Sequence, residues 1–159
     1  MRALVRAEVE VAVRAEVVWD YVTDWPRQGE WIPFTRVEEV AAGDGVGRAD
    51  RVGGRIRAWT GIGPVGFWDP MTITGWSRSE DGSARCEVLH TGAVVRGEAE
   101  FAVVARGFDS CTFRWWEHLQ VPGGPLGPLV WKVAGSGMQK MVDLSLRRLA
   151  TRVEQLHAG

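Results

Sequence analysis

Cysteine is scarce in this chain of 159 residues, which contains only Cys86 and Cys111. Two thiols are too few for a disulfide framework or for a four-ligand zinc site, and a small buried thiol is the commoner role of such residues. The three histidines, His90, His118 and His157, show no close metal-ligand spacing. We therefore predict no bound metal and no other cofactor.

The chain also lacks an excess of charge and long apolar runs. Its 19 Lys and Arg residues balance 20 Asp and Glu residues, giving a net charge of -1. This balance argues against nucleic acid as a partner, because such proteins need a strongly basic face. Arg or Glu interrupts every apolar run, so no stretch approaches the ~20 apolar residues of a membrane span. We expect a cytoplasmic protein with no membrane span, forming a single domain over residues 1–159.

Tyrosine is nearly absent, whereas tryptophan is abundant. The chain has 1 Tyr, 5 Phe and 9 Trp residues. A buried indole fills a large volume and needs a partner for its N–H, so this composition indicates an aromatic-lined interior, an interface, or both. A monomer and a homodimer are both compatible with it.

Periodicity predicts an α+β fold. Residues 3–13 alternate between apolar and charged, which is typical of a half-buried strand. Two short helices are predicted next, over 15–23 and 27–31, each ended by a proline-containing segment. A long helix over 129–157 ends the chain. Between the second and third helices, alternation and turn signals predict six strands, over 35–43, 48–59, 67–76, 85–92, 93–105 and 111–120.

This element order favours a curved antiparallel sheet of about seven strands wrapped around the C-terminal helix. A strongly curved sheet cannot collapse completely onto one helix, so we expect a pocket between them. GDGVG, at residues 43–47, precedes a strand rather than a helix and is predicted to be a hairpin turn, not a phosphate-binding loop. In the strand that follows it, Val52, Ile56 and Ala58 are predicted to face inward.

Three segments carry a resemblance to a known family. They are AEVVWDYVTDWPRQGEWIP directly after the first strand, HTG leading into VVRGEAEF, and FRWWE before a Pro/Gly loop and the last helix. With these segments, the whole chain resembles the START-like, helix-grip superfamily, in its polyketide cyclase/dehydrase and lipid-transport branch. The resemblance implies a cavity for lipids, sterols, hormones or polyketide intermediates, and some members cyclise or dehydrate polyketides. It transfers no catalytic residue to a position in this chain.

The strand CTFRWWEHLQ, residues 111–120, places a glutamate beside a histidine. Successive strand residues point to opposite faces, so Glu117 faces the helix with Trp115 while Trp116 and His118 face away. The apparent Glu117–His118 pair is therefore broken. An inward Glu117 is predicted to act in acid/base chemistry or to orient a ligand. The alternatives are a hydrogen bond from a Trp N–H or an ion pair with an arginine.

The same alternation turns His90 inward beside Cys86 and Val88, so His90 and Glu117 are predicted to converge on one cavity as catalytic candidates. A core histidine bonded to the backbone is the alternative. Asp69 shares its face with Met71 and is a third polar candidate, although its place before Pro70 also suits a turn or capping role.

The function predicted from these residues is the binding or carriage of a hydrophobic small molecule. One alternative is a polyketide aromatase/cyclase-like enzyme with acid/base residues in its pocket. Another is an interaction protein with no ligand, whose cavity is filled by tryptophan side chains. The predicted ligand contacts are Asp69, Met71, Ile73, Phe101, Phe113, Trp115, Trp131, Met138, Met141 and Val142.

Overall fold

The computed structural model describes residues 1–40 and 49–158 and confirms the α+β, helix-grip architecture. Within these residues, seven antiparallel strands form a sheet in the order β1-β7-β6-β5-β4-β3-β2. The last six follow one another as a meander, and β1 joins the sheet beside β7. The strands are β1 (Arg2–Val11), β2 (Thr35–Glu39), β3 (Arg55–Ile62), β4 (Val65–Arg78), β5 (Ala84–Thr91), β6 (Arg96–Ala105) and β7 (Cys111–Gln120). The α-helices are α1 (Ala15–Val22) and α2 (Gly127–His157), with 3₁₀ helices at Trp25–Glu30 and Gly124–Leu126.

The second short helix and the third strand differ most from the sequence-based prediction. The second short helix is a 3₁₀ helix that begins at Trp25 and has Pro26 in its first turn, where a missing N–H is tolerated. The third strand begins only at Arg55, because the chain turns before it at Gly53, where φ is 89°. Val52, predicted to face inward, is therefore exposed. The predicted hairpin turn at residues 43–47 lies outside the described residues.

A cluster of aromatic side chains packs in the core, against the inner face of the sheet. Trp31, which follows the 3₁₀ helix, is fully buried. The centroid of its ring lies 5.8 Å from that of Phe101, 5.9 Å from that of Phe113 and 6.0 Å from that of Trp115. The tilted and edge-on contacts are the arrangements that aromatic rings prefer. The segment after α1 is thereby fixed against β6 and β7.

A β-bulge in β4 changes which face one tryptophan occupies. The pairing of β4 with β5 shifts between Ile73 and Gly75, so the alternation resumes one residue out of phase. Without the bulge, strict alternation from Ile73 would place Trp76 on the outer face, whereas it packs edge-on against Trp19 at 5.1 Å between ring centroids. The bulge thus packs a partly buried indole against the core.

The outer face of the sheet has an aromatic pair of its own. Trp59 and Trp68 are directly opposite on β3 and β4, with 5.5 Å between ring centroids. The guanidinium of Arg57 lies 4.3 Å from the centre of the Trp68 ring. Arg57 also pairs with Glu38 on the neighbouring strand at 2.8 Å.

A polar network connects α1, the 3₁₀ helix that follows it and the C-terminal part of α2. Glu30 accepts hydrogen bonds from the Tyr21 hydroxyl at 2.7 Å, from Arg27 Nε at 3.0 Å and from Arg152 Nε at 3.3 Å. The bonds from Arg27 and Tyr21 lower the pKa of Glu30 to about 2. The C-terminal part of α2 is therefore tied to the 3₁₀ helix as well as to the core.

We predict that Gly97→Ala destabilises the fold by about 2 kcal/mol or more, because strained backbone costs of this order are typical. Gly97 has φ of 139°, and a Cβ there would collide with the backbone carbonyl oxygen of His118 on β7. Urea unfolding measures the change. Gly137→Ala is the matched control: its Cβ meets no atom within 4 Å, and in a helix the change raises stability by about 0.5–1 kcal/mol. Equal effects of the two variants would contradict the assignment of strain to Gly97.

Candidate functional site

A cavity of about 510 Å³ lies between the inner face of the sheet and the first half of α2. Its wall is almost entirely apolar, with contributions from β2 to β7, the 3₁₀ helix at Trp25–Glu30 and the loop before α2. Its volume falls within the usual range for small-molecule sites, roughly 300–1,000 Å³. The tryptophan side chains therefore leave the space open, contrary to the alternative in which they fill it.

The cavity exists because α2 packs closely over only half of its length. Val142, Leu146, Leu149 and Val153 are almost completely buried and belong to the core. The residues before them are mostly exposed or half-buried, and every fourth or third one faces the cavity. The helical residues that line it are Val130, Trp131, Ala134, Gly137, Met138 and Met141.

Most of the predicted ligand contacts lie on the cavity wall. Side chains on the strands alternate between the inner and outer faces of the sheet, as expected, and many of those on the inner face line the cavity. The predicted residues in this group are Asp69, Met71, His90, Phe101, Trp115, Glu117, Trp131, Met138 and Met141.

Three predicted ligand contacts are instead core residues: Phe113, Ile73 and Val142. They face inward, as predicted, but each is at most 1% exposed and none is part of the cavity wall. They lie where sheet and helix are in direct contact, and Phe113 is also covered by Trp31. Alternation gives the face of a residue but not its depth along the element, and this is why the prediction places them in the cavity.

A buried carboxylate–imidazole pair interrupts the apolar wall. His90 Nδ1 lies 2.8 Å from Asp69 Oδ2 and 3.0 Å from Asp69 Oδ1. The residues are diagonal neighbours, since His90 is directly opposite Met71 on β4 and Asp69 comes two residues earlier on that strand. Both are less than a tenth exposed. The carboxylate therefore fixes the imidazole ring and holds a proton on Nδ1.

The second ring nitrogen of the same histidine is unsatisfied. His90 Nε2 is buried and has no hydrogen-bond partner among the described residues. Burial alone would lower the pKa of His90, but the hydrogen bond and charge of Asp69, with the charge of Glu117, raise it overall. An imidazole held in this way can accept a proton at Nε2 or donate one to a bound polar group.

Glu117 on β7 is the third polar group of this cluster. Its Oε1 accepts a hydrogen bond from Trp115 Nε1 at 2.9 Å. Burial raises its pKa, against the opposing effects of the His90 charge and of the indole N–H. The structure therefore contains both features that the sequence predicted as alternatives, a position on the same cavity wall as His90 and a hydrogen bond from a tryptophan. His118 is exposed on the opposite face, as expected.

Sequence reasoning missed the Asp69–His90 pair and assigned Asp69 a turn or capping role as its first alternative. The strand pattern gives the correct inward face for both residues, but the pair depends on the register between β4 and β5. That register includes a bulge between Ile73 and Gly75; a glycine within a strand is compatible with a bulge, but it does not fix which residues pair across the two strands. Cys86 also lines the wall, and burial raises the pKa of its thiol to about 12, so it is a poor nucleophile.

Two further findings bear on function. Among residues 1–40 and 49–158, no group of three or more His, Cys, Asp or Glu side chains could hold a metal ion. In the same part of the chain, every helix is too short or too polar to cross a membrane.

Comparison with known proteins gives one family and a set of similar structures. The family model described as polyketide cyclase / dehydrase and lipid transport matches residues 2–154. No protein of curated function matches the chain.

The solved structures similar to this chain share its fold over nearly its full length. A START superfamily protein from Mycobacterium smegmatis has 24% identity and a TM-score of 0.66, with 96% of this chain and 98% of that chain covered. The Zhui aromatase/cyclase from a Streptomyces species has 13% identity and a TM-score of 0.71, covering 98% and 95%. A protein from Thermus thermophilus has 19% identity and a TM-score of 0.75, covering 97% and 99%.

We predict that Glu117→Gln removes a pH-dependent part of the stability. A raised pKa means that the folded chain retains a proton that the unfolded chain releases near the ordinary pKa of 4.5. The stabilisation is therefore complete below pH 4.5 and is lost as pH rises through the folded-state pKa. Gln keeps the acceptor for Trp115 and does not titrate.

Urea unfolding of wild type and variant at several pH values above 4.5 measures this effect. The difference in free energy of unfolding should move in favour of the variant as pH rises. Glu98→Gln, which removes an exposed carboxylate from β6, is the matched control. A difference that stays constant over this pH range would contradict the role given to Glu117.

Proposed function

Since the chain belongs to the polyketide cyclase / dehydrase and lipid transport family, we propose that it binds a hydrophobic small molecule in the cavity between the sheet and α2. The observation that carries the proposal is the apolar cavity of about 510 Å³ with a buried polar cluster in its wall. A lipid, a polyketide or another apolar metabolite fits this description. The proposal treats the chain as one ligand-binding domain.

The chemistry of the wall supports an irregular apolar ligand. Met71, Met138 and Met141 bring flexible thioethers to the wall, and Trp115 and Trp131 bring rigid aromatic surfaces. Methionine adapts its shape at little cost, whereas indoles offer large apolar contact areas. Burial of apolar ligand surface stabilises a complex by about 25 cal/mol per Å² before the costs of association are subtracted.

The buried polar cluster favours a second candidate function, a cyclase/dehydrase-like enzyme. His90 Nε2 or Glu117 would take a proton from the carbon next to a ketone. The other group, in its acid form, would give a proton to a departing hydroxyl. A C–H bond and a C–O bond break, a C=C bond forms, and water leaves. Asp69 would hold the imidazole in place during both transfers. The fold shared with the Streptomyces aromatase/cyclase is compatible with this chemistry.

Location, nucleic-acid partners and oligomeric state stay as predictions from the sequence. We retain a cytoplasmic location, the absence of nucleic-acid partners and a monomeric or homodimeric state as expectations. An interaction protein without a ligand receives no support from the cavity, which the tryptophans leave open.

We predict that Ala134→Trp weakens the binding of a neutral apolar probe by about tenfold or more, because the indole would occupy cavity space. Fluorescence titration with N-phenyl-1-naphthylamine measures the affinity. Val133→Trp is the matched control, since Val133 adjoins Ala134 on α2 but is 76% exposed. Equal weakening by both variants would count against binding at this cavity. The absence of probe binding, together with native mass spectra free of bound apolar molecules, would contradict carriage altogether.

For the enzyme candidate, we predict that Glu117→Gln and His90→Ala each lower turnover of a poly-β-ketone substrate by about 10²–10⁴-fold, the usual contribution of general acid/base catalysis. Product formation followed by chromatography measures the rate. His118→Ala is the control, since this side chain lies on the exposed face of the same strand. Unchanged turnover in both test variants would eliminate the acid/base role.

A further inference from the structure

The described residues that line the cavity wall include acidic side chains but no lysine or arginine. The carboxylates are Asp69, Glu117 and Glu100, and the last pairs with Arg85. His90 is the one lining group among them that can carry a positive charge near neutral pH.

The positive charge of His90 is already matched inside the protein. Both carboxylate oxygens of Asp69 lie within 3.0 Å of His90 Nδ1, so the charged pair is neutral as a whole. Glu117 then determines the net charge of the cluster, which is zero with a proton on Glu117 and negative without one. In either state, the wall offers an anion no uncompensated cation.

Glu117 itself lacks the partners that a buried carboxylate needs. The described residues give it one hydrogen bond, from Trp115 Nε1, although a carboxylate can accept about four. It is 6% exposed and lines the cavity, so a ligand bound there can reach its remaining acceptor sites. A ligand that brings its own N–H donors and a positive charge would satisfy this group best.

The aromatic side chains beside Glu117 favour the same kind of ligand. Trp115 and Phe101 both line the cavity, with 5.1 Å between their ring centroids. The faces of such rings attract cations, and the attraction grows when water is excluded.

We propose that this cavity selects an amphiphilic amine, an apolar skeleton with one protonated amino group placed against Glu117, and discriminates against the carboxylate of the same skeleton. This inference rests on the proposed function and deepens it by giving the class of ligand. The apolar skeleton lies against the methionine and tryptophan side chains of the wall, whereas the ammonium group donates to Glu117 and its positive charge favours the deprotonated form of that carboxyl group.

The test compares three ligands that share one skeleton: 2-(2-naphthyl)ethylamine, 2-(2-naphthyl)ethanol and 2-naphthylacetate. Isothermal titration calorimetry at neutral pH gives their affinities for the wild-type protein. We expect the amine to bind more tightly than the alcohol, and at least about tenfold more tightly than the carboxylate. Binding of the carboxylate as tight as that of the amine overturns the inference.

Failure of the proposed function has a different signature. If none of the three ligands binds and the neutral probe N-phenyl-1-naphthylamine also fails to bind, both the proposed function and the inference are wrong. If the neutral probe and the alcohol bind but the amine has no advantage over the carboxylate, only the inference is wrong. These comparisons use the wild-type chain, so they do not depend on the folding of any variant.

A variant then locates the selectivity. Glu117→Gln should reduce the affinity of the amine to that of the alcohol and leave the alcohol unchanged, because it removes the charge and keeps the shape. Glu98→Gln, on the neighbouring strand and outside the cavity wall, should leave all three affinities unchanged. Retention of the full amine preference by a folded Glu117→Gln protein overturns the placement of the ammonium group.

Discussion

The whole structure depends on a mismatch of shape between a curved sheet and a helix. A helix of 31 residues cannot follow the curvature of seven strands along its full length. Close packing is reached only in its second half, where Val142, Leu146 and Leu149 are nearly inaccessible. The first half is held off the sheet, and the residues on both sides of the gap line the cavity. The hydrophobic core and the binding site are thus successive sections of one apolar interior.

The aromatic residues determine where one section ends and the other begins. Trp31 enters from the segment after α1 and covers Phe113, leaving Phe101 and Trp115 as the boundary between core and cavity. This division explains why strand alternation predicted the inward faces of β4 to β7 well but overcounted the ligand contacts. Alternation reports which side of the sheet a residue occupies. Whether a ligand can reach it depends on what another element places above it.

The polar cluster shows a second limit of sequence reasoning. The sequence predicts His90 and Glu117 as inward residues, because each lies in phase with apolar neighbours. The partnership of His90 with Asp69 depends on pairing between strands, and the bulge between Ile73 and Gly75 shifts that pairing. The same bulge explains why Trp76 packs against the core. The fold class and the element order follow from local periodicity, whereas the chemistry of the site follows from register, which is a non-local property.

The bonds of Glu30 to Tyr21, Arg27 and Arg152 have a mechanical consequence for the helix. They add to the core contacts that hold the C-terminal half of α2. Any tilt of this helix would therefore pivot near Val142, where close packing begins. From Val142 back to Gly127 the less tightly packed arm is about 22 Å long at 1.5 Å per residue, and within it Gln139 donates a hydrogen bond to the carbonyl oxygen of Arg6 on β1. A rotation of about 5° about this pivot displaces its far end by about 2 Å, roughly half the thickness of an aromatic ring. We therefore expect adjustment to ligands of different width to be concentrated at one end of the cavity, because the core contacts hold the other end in place.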